Sequence, residues 1–164
     1  MKKGPKGCLI IMALCFLIIL LIISWFYYQM ITSRERQDDD IAACMNIEYI
    51  TEKPSFSLEK ESYEKILDLN IQLKRDGQII RDTLLKEHIE NKNNYFIFIV
   101  PFDKFLKTDV VLVKTKNTIY TISGFAYSST GGHWGMFGYL GDSDCYFDYN
   151  QIKINGKDYL ESKK

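Results

Sequence analysis

The chain has 164 residues, of which 46% are hydrophobic and 14% are aromatic, and both values are too high for a disordered chain. Its 21 basic and 21 acidic residues cancel, so no large positive field is present and we predict no nucleic-acid partner. Beyond its apolar N-terminal segment, the chain is long enough for one small domain and too short for two ordinary ones.

The N-terminal segment, residues 8–31, predicts a single transmembrane helix. Residues 8–28 carry no charge, and a helix needs about 20 apolar residues to cross a bilayer. Aromatic residues at positions 25–28 end the apolar run, where such side chains favour the lipid headgroups. A cleaved signal peptide has a shorter apolar region and small residues at its cleavage site, so we predict an uncleaved signal anchor.

The charges that flank this helix predict its orientation. Lys2, Lys3 and Lys6 precede it, whereas residues 32–43 mix basic and acidic side chains, as a juxtamembrane connector does. Because lysine and arginine are enriched on the cytoplasmic side of membrane helices, residues 1–7 are predicted to be cytoplasmic. Residues 44–164 would then form an extracytoplasmic domain, periplasmic or extracellular, anchored in the inner (cytoplasmic) membrane.

Two of the four cysteines, Cys8 and Cys15, lie in the apolar segment, where a thiol behaves as a small apolar side chain. The other two, Cys44 and Cys145, lie in the predicted extracytoplasmic domain. Because such compartments are oxidising, we predict a disulfide between them. Closing a loop of about 100 residues would destabilise the unfolded chain by up to ~4.7 kcal/mol.

The first half of the predicted domain combines strands and helices. Residues 45–50 alternate between polar and apolar side chains, as a strand does. Residues 58–67 are predicted as a helix followed by a strand at 68–73, with one long helix as the alternative. After a turn at Asp76-Gly77, apolar residues recur at helical spacing, so a helix is predicted at residues 78–90.

The second half is predicted to consist of strands, at residues 95–100, 110–114 and 118–127. Asn155-Gly156 then predicts a hairpin between residues 151–154 and 157–160, because this dipeptide is a strong hairpin signal. The predicted fold class is therefore α+β. We expect one antiparallel sheet, a meander with C-terminal hairpins, covered by one or two helices.

The candidate functional segment is the glycine-rich stretch at residues 128–148. Glycine loses much conformational freedom on folding, so a stretch with many glycines indicates tight backbone geometry or close approach. If it is extended, Trp134, Met136 and Leu140 share a face that we expect to pack on the core. The opposite face, with His133, Phe137 and Tyr139, is then exposed for binding. The alternative is that both faces are buried. The candidate binding residues are His133, Trp134, Phe137, Tyr139, Asp142 and Asp144.

This stretch does not match a known catalytic or metal-binding pattern. Asp142, Asp144 and Asp148 follow a calcium loop only at its first two positions. A cysteine held in a disulfide cannot act with His133 as a nucleophile. The chain also contains no GxSxG, HExxH or CxxC motif. We therefore predict no catalytic residue, no metal site and no cofactor.

Three functions remain open. The first is a non-catalytic module that binds a protein partner in the cell envelope, as assembly factors and immunity-type inhibitors do. The second rests on a leader ending at Gly7, an apolar helix and a β-rich domain with a late cysteine, which together resemble type IV pilins and pseudopilins in outline. That resemblance implies a filament subunit, although Met12 stands where the family usually has glutamate. The third is an enzyme of cell-wall or glycan material, with Trp134, Phe137 and Tyr139 stacking on sugars.

The orientation predicts the result of a reporter experiment. A reporter that is active only in the cytoplasm is expected to be inactive when fused after Lys164, because the lysines before the helix stay on the cytoplasmic side. The same reporter fused before Met1 is the control and is expected to be active. Activity of the C-terminal fusion would show the opposite orientation.

Overall fold

The computed structural model describes residues 6–60 and 65–159, with side chains from residue 9 onward. Within this part, α1 spans Lys6–Met45 and a short 3-10 helix spans Tyr149–Gln151. The first eight strands are β1 (Tyr49–Ile50), β2 (Ser55–Glu59), β3 (Leu69–Arg75), β4 (Gln78–Leu85), β5 (Glu90–Asn91), β6 (Tyr95–Ile99), β7 (Phe105–Leu106) and β8 (Val110–Lys114). The remaining strands are β9 (Ile119–Ser123), β10 (Tyr127–Ser129), β11 (His133–Gly135), β12 (Gly138–Gly141), β13 (Cys145–Phe147), β14 (Lys153–Ile154) and β15 (Lys157–Asp158).

The chain divides into two compact units. The first unit consists of Met1–Ala43 and Ser129–Asp144, so it contains most of α1 and the hairpin formed by β11 and β12. The second consists of Cys44–Ser128 and Cys145–Lys164 and contains the larger sheets. One long apolar helix followed by antiparallel sheets confirms the predicted α+β class.

The second unit is built on two antiparallel sheets that share one core. A six-stranded sheet has the order β15-β14-β9-β8-β3-β4, and a three-stranded sheet has the order β2-β6-β5. Successive side chains of a strand point to opposite faces, so alternate residues of each strand enter the core. Ile71 of β3 and Phe98 of β6 are fully buried in this way. Across the core, the rings of Phe96 and Tyr120 meet edge to face with centroids 5.9 Å apart.

In the first unit, α1 continues without a break through the predicted connector. Among the described residues, it is the one helix that is long and apolar enough to cross a membrane. None of its apolar window is buried by protein. The side chains from Leu9 to Ile23 therefore face an environment that the described part of the chain does not provide.

Both helices predicted for the domain are wrong. The predicted helix at residues 78–90 is strand β4 up to Leu85, because Asp76 and Gly77 have φ values of 47° and 86° and form a tight turn that reverses the chain. β4 then pairs antiparallel with β3. The predicted helix at residues 58–67 begins in strand β2, has residues 61–64 outside the described part, and is not helical at 65–67. The two sheets cover each other, where helical cover was expected.

Several strand predictions are confirmed. Strands occur at the predicted ranges 68–73, 95–100 and 110–114, and their ends differ from the prediction by at most two residues. The predicted strand at 118–127 is divided, because β9 ends at Ser123 and β10 begins at Tyr127. The Asn155-Gly156 turn is confirmed by positive φ values of 52° and 80° between β14 and β15. Leu160, the end of that predicted hairpin, lies outside the described residues.

An ion pair with a buried carboxylate holds the start of β8 against the end of β3, although the Arg75 side chain is 37% exposed. The Asp109 carboxylate is inaccessible to solvent and accepts hydrogen bonds from Arg75 Nε at 2.7 Å and Arg75 Nη2 at 2.8 Å. The Leu106 backbone N–H also donates to it, at 2.8 Å. Burial of the carboxyl opposes ionisation, but these donors outweigh it and lower the pKa of Asp109 below its usual value.

Asp109→Asn is therefore expected to destabilise the protein by about 1.5–3 kcal/mol, the range for a hydrogen bond to a charged group. The folded-state pKa is lowered, so this contribution is complete above the unfolded pKa of about 3.9 and is lost as the pH falls through the folded value. Thermal unfolding of the full chain in detergent, at pH 7 and at stepwise lower pH, measures both effects.

The control is Asp103→Asn. Asp103 pairs with Lys53 at 2.7 Å, but the two side chains are 84% and 54% exposed. Its loss is expected to cost less than about 1 kcal/mol, because exposed ion pairs contribute little. Equal destabilisation by the two substitutions would contradict the role assigned to the buried carboxylate.

Candidate functional site

The candidate site lies in the first unit, where the glycine-rich hairpin packs along α1. In this hairpin, Trp134 pairs with Tyr139 and Gly135 pairs with Gly138, with Met136 and Phe137 forming the turn between them. The turn lies beside the aromatic end of the apolar segment, because the rings of Phe137 and Phe26 stack with centroids 4.3 Å apart. The hairpin and α1 therefore pack together, and this contact begins at the aromatic end of the apolar segment.

One face of α1 receives the hairpin, and most of its side chains are polar. The Ser33 hydroxyl accepts a hydrogen bond from the Tyr139 backbone N–H at 2.9 Å and donates to the Gln29 carbonyl at 2.5 Å. One turn further on, Gln37 Nε2 donates to the Gly131 carbonyl at 2.9 Å. These positions recur every three or four residues, which is the spacing of one helix face.

Tyr139 is the central residue of this contact. Its side chain is only 2% exposed, and its hydroxyl donates to the carboxylate of Asp40. The hydrogen bond to Asp40, together with burial, raises the pKa of Tyr139 above its ordinary value. The ring also meets Trp134 edge to face, with centroids 5.9 Å apart. Tyr139 therefore connects the hairpin to the charged end of the helix face.

Gly138 permits the close approach between the hairpin and α1. Its φ of 109° is unfavourable for residues with a side chain, and a Cβ at this position would overlap the Ser33 hydroxyl. The Gln29 carbonyl would lie 3.4 Å from the same Cβ. Glycine is therefore required here for two independent reasons, the backbone conformation and the contact with the helix.

The predicted assignment of the hairpin faces is wrong. Trp134, Met136 and Leu140 were expected to pack on the core, but all three are more than half exposed. Tyr139, expected to be exposed, is buried against α1. The assignment assumed one continuous strand, whereas the turn at Met136 reverses the chain and places Trp134 directly opposite Tyr139.

The remaining predicted residues lie near the base of the hairpin. His133 is exposed at the start of β11, and Asp142 and Asp144 are exposed after β12. The Asp144 N–H donates to the Thr130 hydroxyl at 3.1 Å. Within the described part of the chain, no group of three or more His, Cys, Asp or Glu side chains converges as a metal site requires. The assignment of these residues to binding stays a prediction.

Asp148 and the two domain cysteines have structural positions in the second unit. Asp148 caps the short 3-10 helix by accepting from the Asn150 N–H at 2.9 Å. Burial opposes ionisation of this carboxyl, but hydrogen bonds from Ser128 and Asn150 lower its pKa. Cys44 and Cys145 lie at disulfide distance, with Sγ atoms 1.99 Å and Cα atoms 5.4 Å apart. This is the cysteine pair that the sequence predicts.

Sequence analysis missed the helix residues of this site. These residues lie in or beside the stretch that is interpreted as a solvated connector: Gln29, Ser33, Gln37 and Asp40. They are polar, so no apolar periodicity marks them. Their signal is instead a polar periodicity of three and four residues, which continues the line of Phe26 along α1.

Comparisons of the chain with protein-family models, with curated proteins and with solved structures find no match.

Gly138→Ala is expected to loosen the hairpin from α1, because the added methyl overlaps Ser33 and overpacking costs about 1–3 kcal/mol. Hydrogen exchange of the Tyr139 amide, measured by mass spectrometry on the full chain in detergent, is expected to accelerate about tenfold or more, since ~1.4 kcal/mol corresponds to a factor of ten.

The matched control is Gly141→Ala. Gly141 also has a positive φ, of 90°, but a Cβ there would meet nothing within 4 Å. It should therefore show only the cost of the backbone conformation, and a smaller change in exchange at Tyr139. Equal acceleration in the two variants would mean that contact with Ser33 is not what makes Gly138 necessary.

Proposed function

We propose that this chain is a single-pass membrane protein that presents a non-catalytic, protein-binding β-domain at the cell envelope. Residues 8–31 are the anchor, residues 1–7 are cytoplasmic and the β-domain is extracytoplasmic. The partner is a second protein that contacts backbone groups and apolar side chains of the β-domain. Envelope assembly factors and immunity-type inhibitors are both proteins of this kind.

The exposed apolar side chains of α1 support the anchor. Fifteen consecutive positions, from Leu9 to Ile23, are apolar, and no described residue covers them. Exposure of such a surface to water would be strongly unfavourable. In hydrocarbon it is favourable, and the backbone groups of the helix need no water because they are paired internally.

The observation that carries the protein-binding proposal is the free edge of the six-stranded sheet. β4 lies at the end of the strand order and pairs only with β3 among the described strands. Alternate N–H and C=O groups of such an edge point away from the sheet and are able to pair with another strand. At eight residues, β4 is the longest strand described, so it offers an extended template.

The side chains of β4 add apolar and polar groups to the backbone groups of this edge. Ile79 and Leu84 are each 52% exposed, and the register places them opposite Lys74 and Asn70, on the face that points away from the core. Asp82 lies between them and accepts hydrogen bonds from Asn70 and Gln72, both at 2.6 Å. The edge thus presents two apolar side chains around an ordered polar centre, which suits addition of a strand from a partner protein.

Two lysine substitutions test this edge. Ile79→Lys combined with Leu84→Lys places charges where natural proteins use them to prevent strand pairing. Tagged full-length protein in detergent is expected to retain a stoichiometric partner protein, and the double variant is expected to weaken that binding about tenfold or more, as loss of a central apolar contact does. The melting temperature should change little, because both positions are exposed.

The matched control is Ile119→Lys, at a position on β9 that is 57% exposed and remote from the β4 edge in the strand order. It should retain the partner at the wild-type level. Full retention of the partner by the double variant would contradict the use of β4, and loss in both variants would point to a non-specific effect of added charge.

A further inference from the structure

The turn of the β11–β12 hairpin has an unusual composition for an exposed turn. Hairpin turns are normally built from polar residues and glycine, whereas Met136 and Phe137 occupy this one. Met136 is 87% exposed, and Trp134 and Leu140 beside it are more than half exposed. No Asp, Glu, Lys or Arg occurs from Gly131 to Gly141, and the one histidine there is His133. The described part of the first unit therefore leaves an uncharged apolar surface uncovered.

The level of this surface along α1 indicates what covers it. Phe137 stacks on Phe26, which belongs to the aromatic group at residues 25–28 that ends the apolar segment. The opposite end of the hairpin reaches Gln37 and Asp40. Since a helix rises about 1.5 Å per residue, the hairpin extends about 20 Å along α1, with its turn toward the apolar segment.

Both elements change from uncharged to charged residues with distance from the apolar segment. On α1 the first charge after the apolar segment is Arg34, and Glu35, Arg36, Asp38, Asp39 and Asp40 follow it. On the hairpin the first charge is Asp142, beyond the strand that contacts Ser33. Two chain segments with matched polarity along a common axis are what an interface between lipid and water selects, with Trp and other amphipathic side chains at the headgroups.

We propose that the β11–β12 turn lies in the membrane interface, with Trp134, Met136, Phe137 and Leu140 in contact with the lipid into which α1 is inserted. This inference rests on the membrane anchoring proposed above. It assigns the turn to lipid and leaves the β4 edge to the protein partner. The hairpin then gives the first unit two points of membrane contact, the spanning helix and an adjacent loop.

The two tryptophans of the chain allow a direct test. Trp25→Phe leaves Trp134 as the sole tryptophan, and Trp134→Phe leaves Trp25. Each full-length variant is reconstituted into phosphatidylcholine vesicles that contain lipid brominated either near the glycerol end or near the methyl end of the acyl chains. Bromine quenches tryptophan at short range, and both leaflets carry it, so the orientation of the protein in the vesicle does not affect the result.

Trp134 is expected to be quenched at least twofold more strongly by the shallow bromines than by the deep ones. Met136→Glu in the Trp25→Phe protein is expected to reduce that quenching, because a charge at the turn disfavours the lipid interface. Quenching of Trp25 without quenching of Trp134 would overturn the inference and leave the anchor intact. If neither tryptophan is quenched, the anchor itself is wrong. Quenching of Trp134 that Met136→Glu does not reduce would also contradict the proposal, because the turn would then not be the contact.

Discussion

The constraint on which the rest of this protein depends is the uncovered apolar surface of α1. From Leu9 to Ile23 the helix carries side chains that no described residue buries, so their stability requires an apolar solvent. In the bilayer that we propose, the position of a residue along the helix axis gives its depth. The aromatic residues at 25–28 would then mark one interface, and each contact further along α1 would lie at a defined distance from it. The stacking of Phe137 on Phe26 fixes the position of the hairpin along α1.

Polar contacts, and not apolar packing, attach the hairpin to α1 beyond this point. Ser33 and Gln37 bond backbone groups of the hairpin, and Asp40 accepts the hydroxyl of Tyr139. Gly138 makes the approach short enough for them to form.

The β-domain does not depend on lipid, because its core is enclosed between two sheets. Large aromatic side chains such as Phe56 and Phe98 fill the space between the sheets. The Arg75–Asp109 pair satisfies its own charge within this unit. Among the described strands, β4 is the longest one at a sheet edge, and its Ile79 and Leu84 side chains are exposed. This edge is where we propose that a partner protein adds a strand.

Sequence alone determined the features that depend on composition and local chain chemistry. The uncharged run at residues 8–28 predicts the helix, the Asn155-Gly156 turn predicts its hairpin, and the alternation in residues 68–73 predicts β3. Tertiary structure decided the rest. The turn at Asp76-Gly77 was recognised, but whether the next residues continue as helix or return as β4 depends on pairing with β3, a contact that no local pattern contains. The hairpin faces failed for the same reason, since the burial of Tyr139 follows from Ser33 and Asp40, about a hundred residues away in the chain.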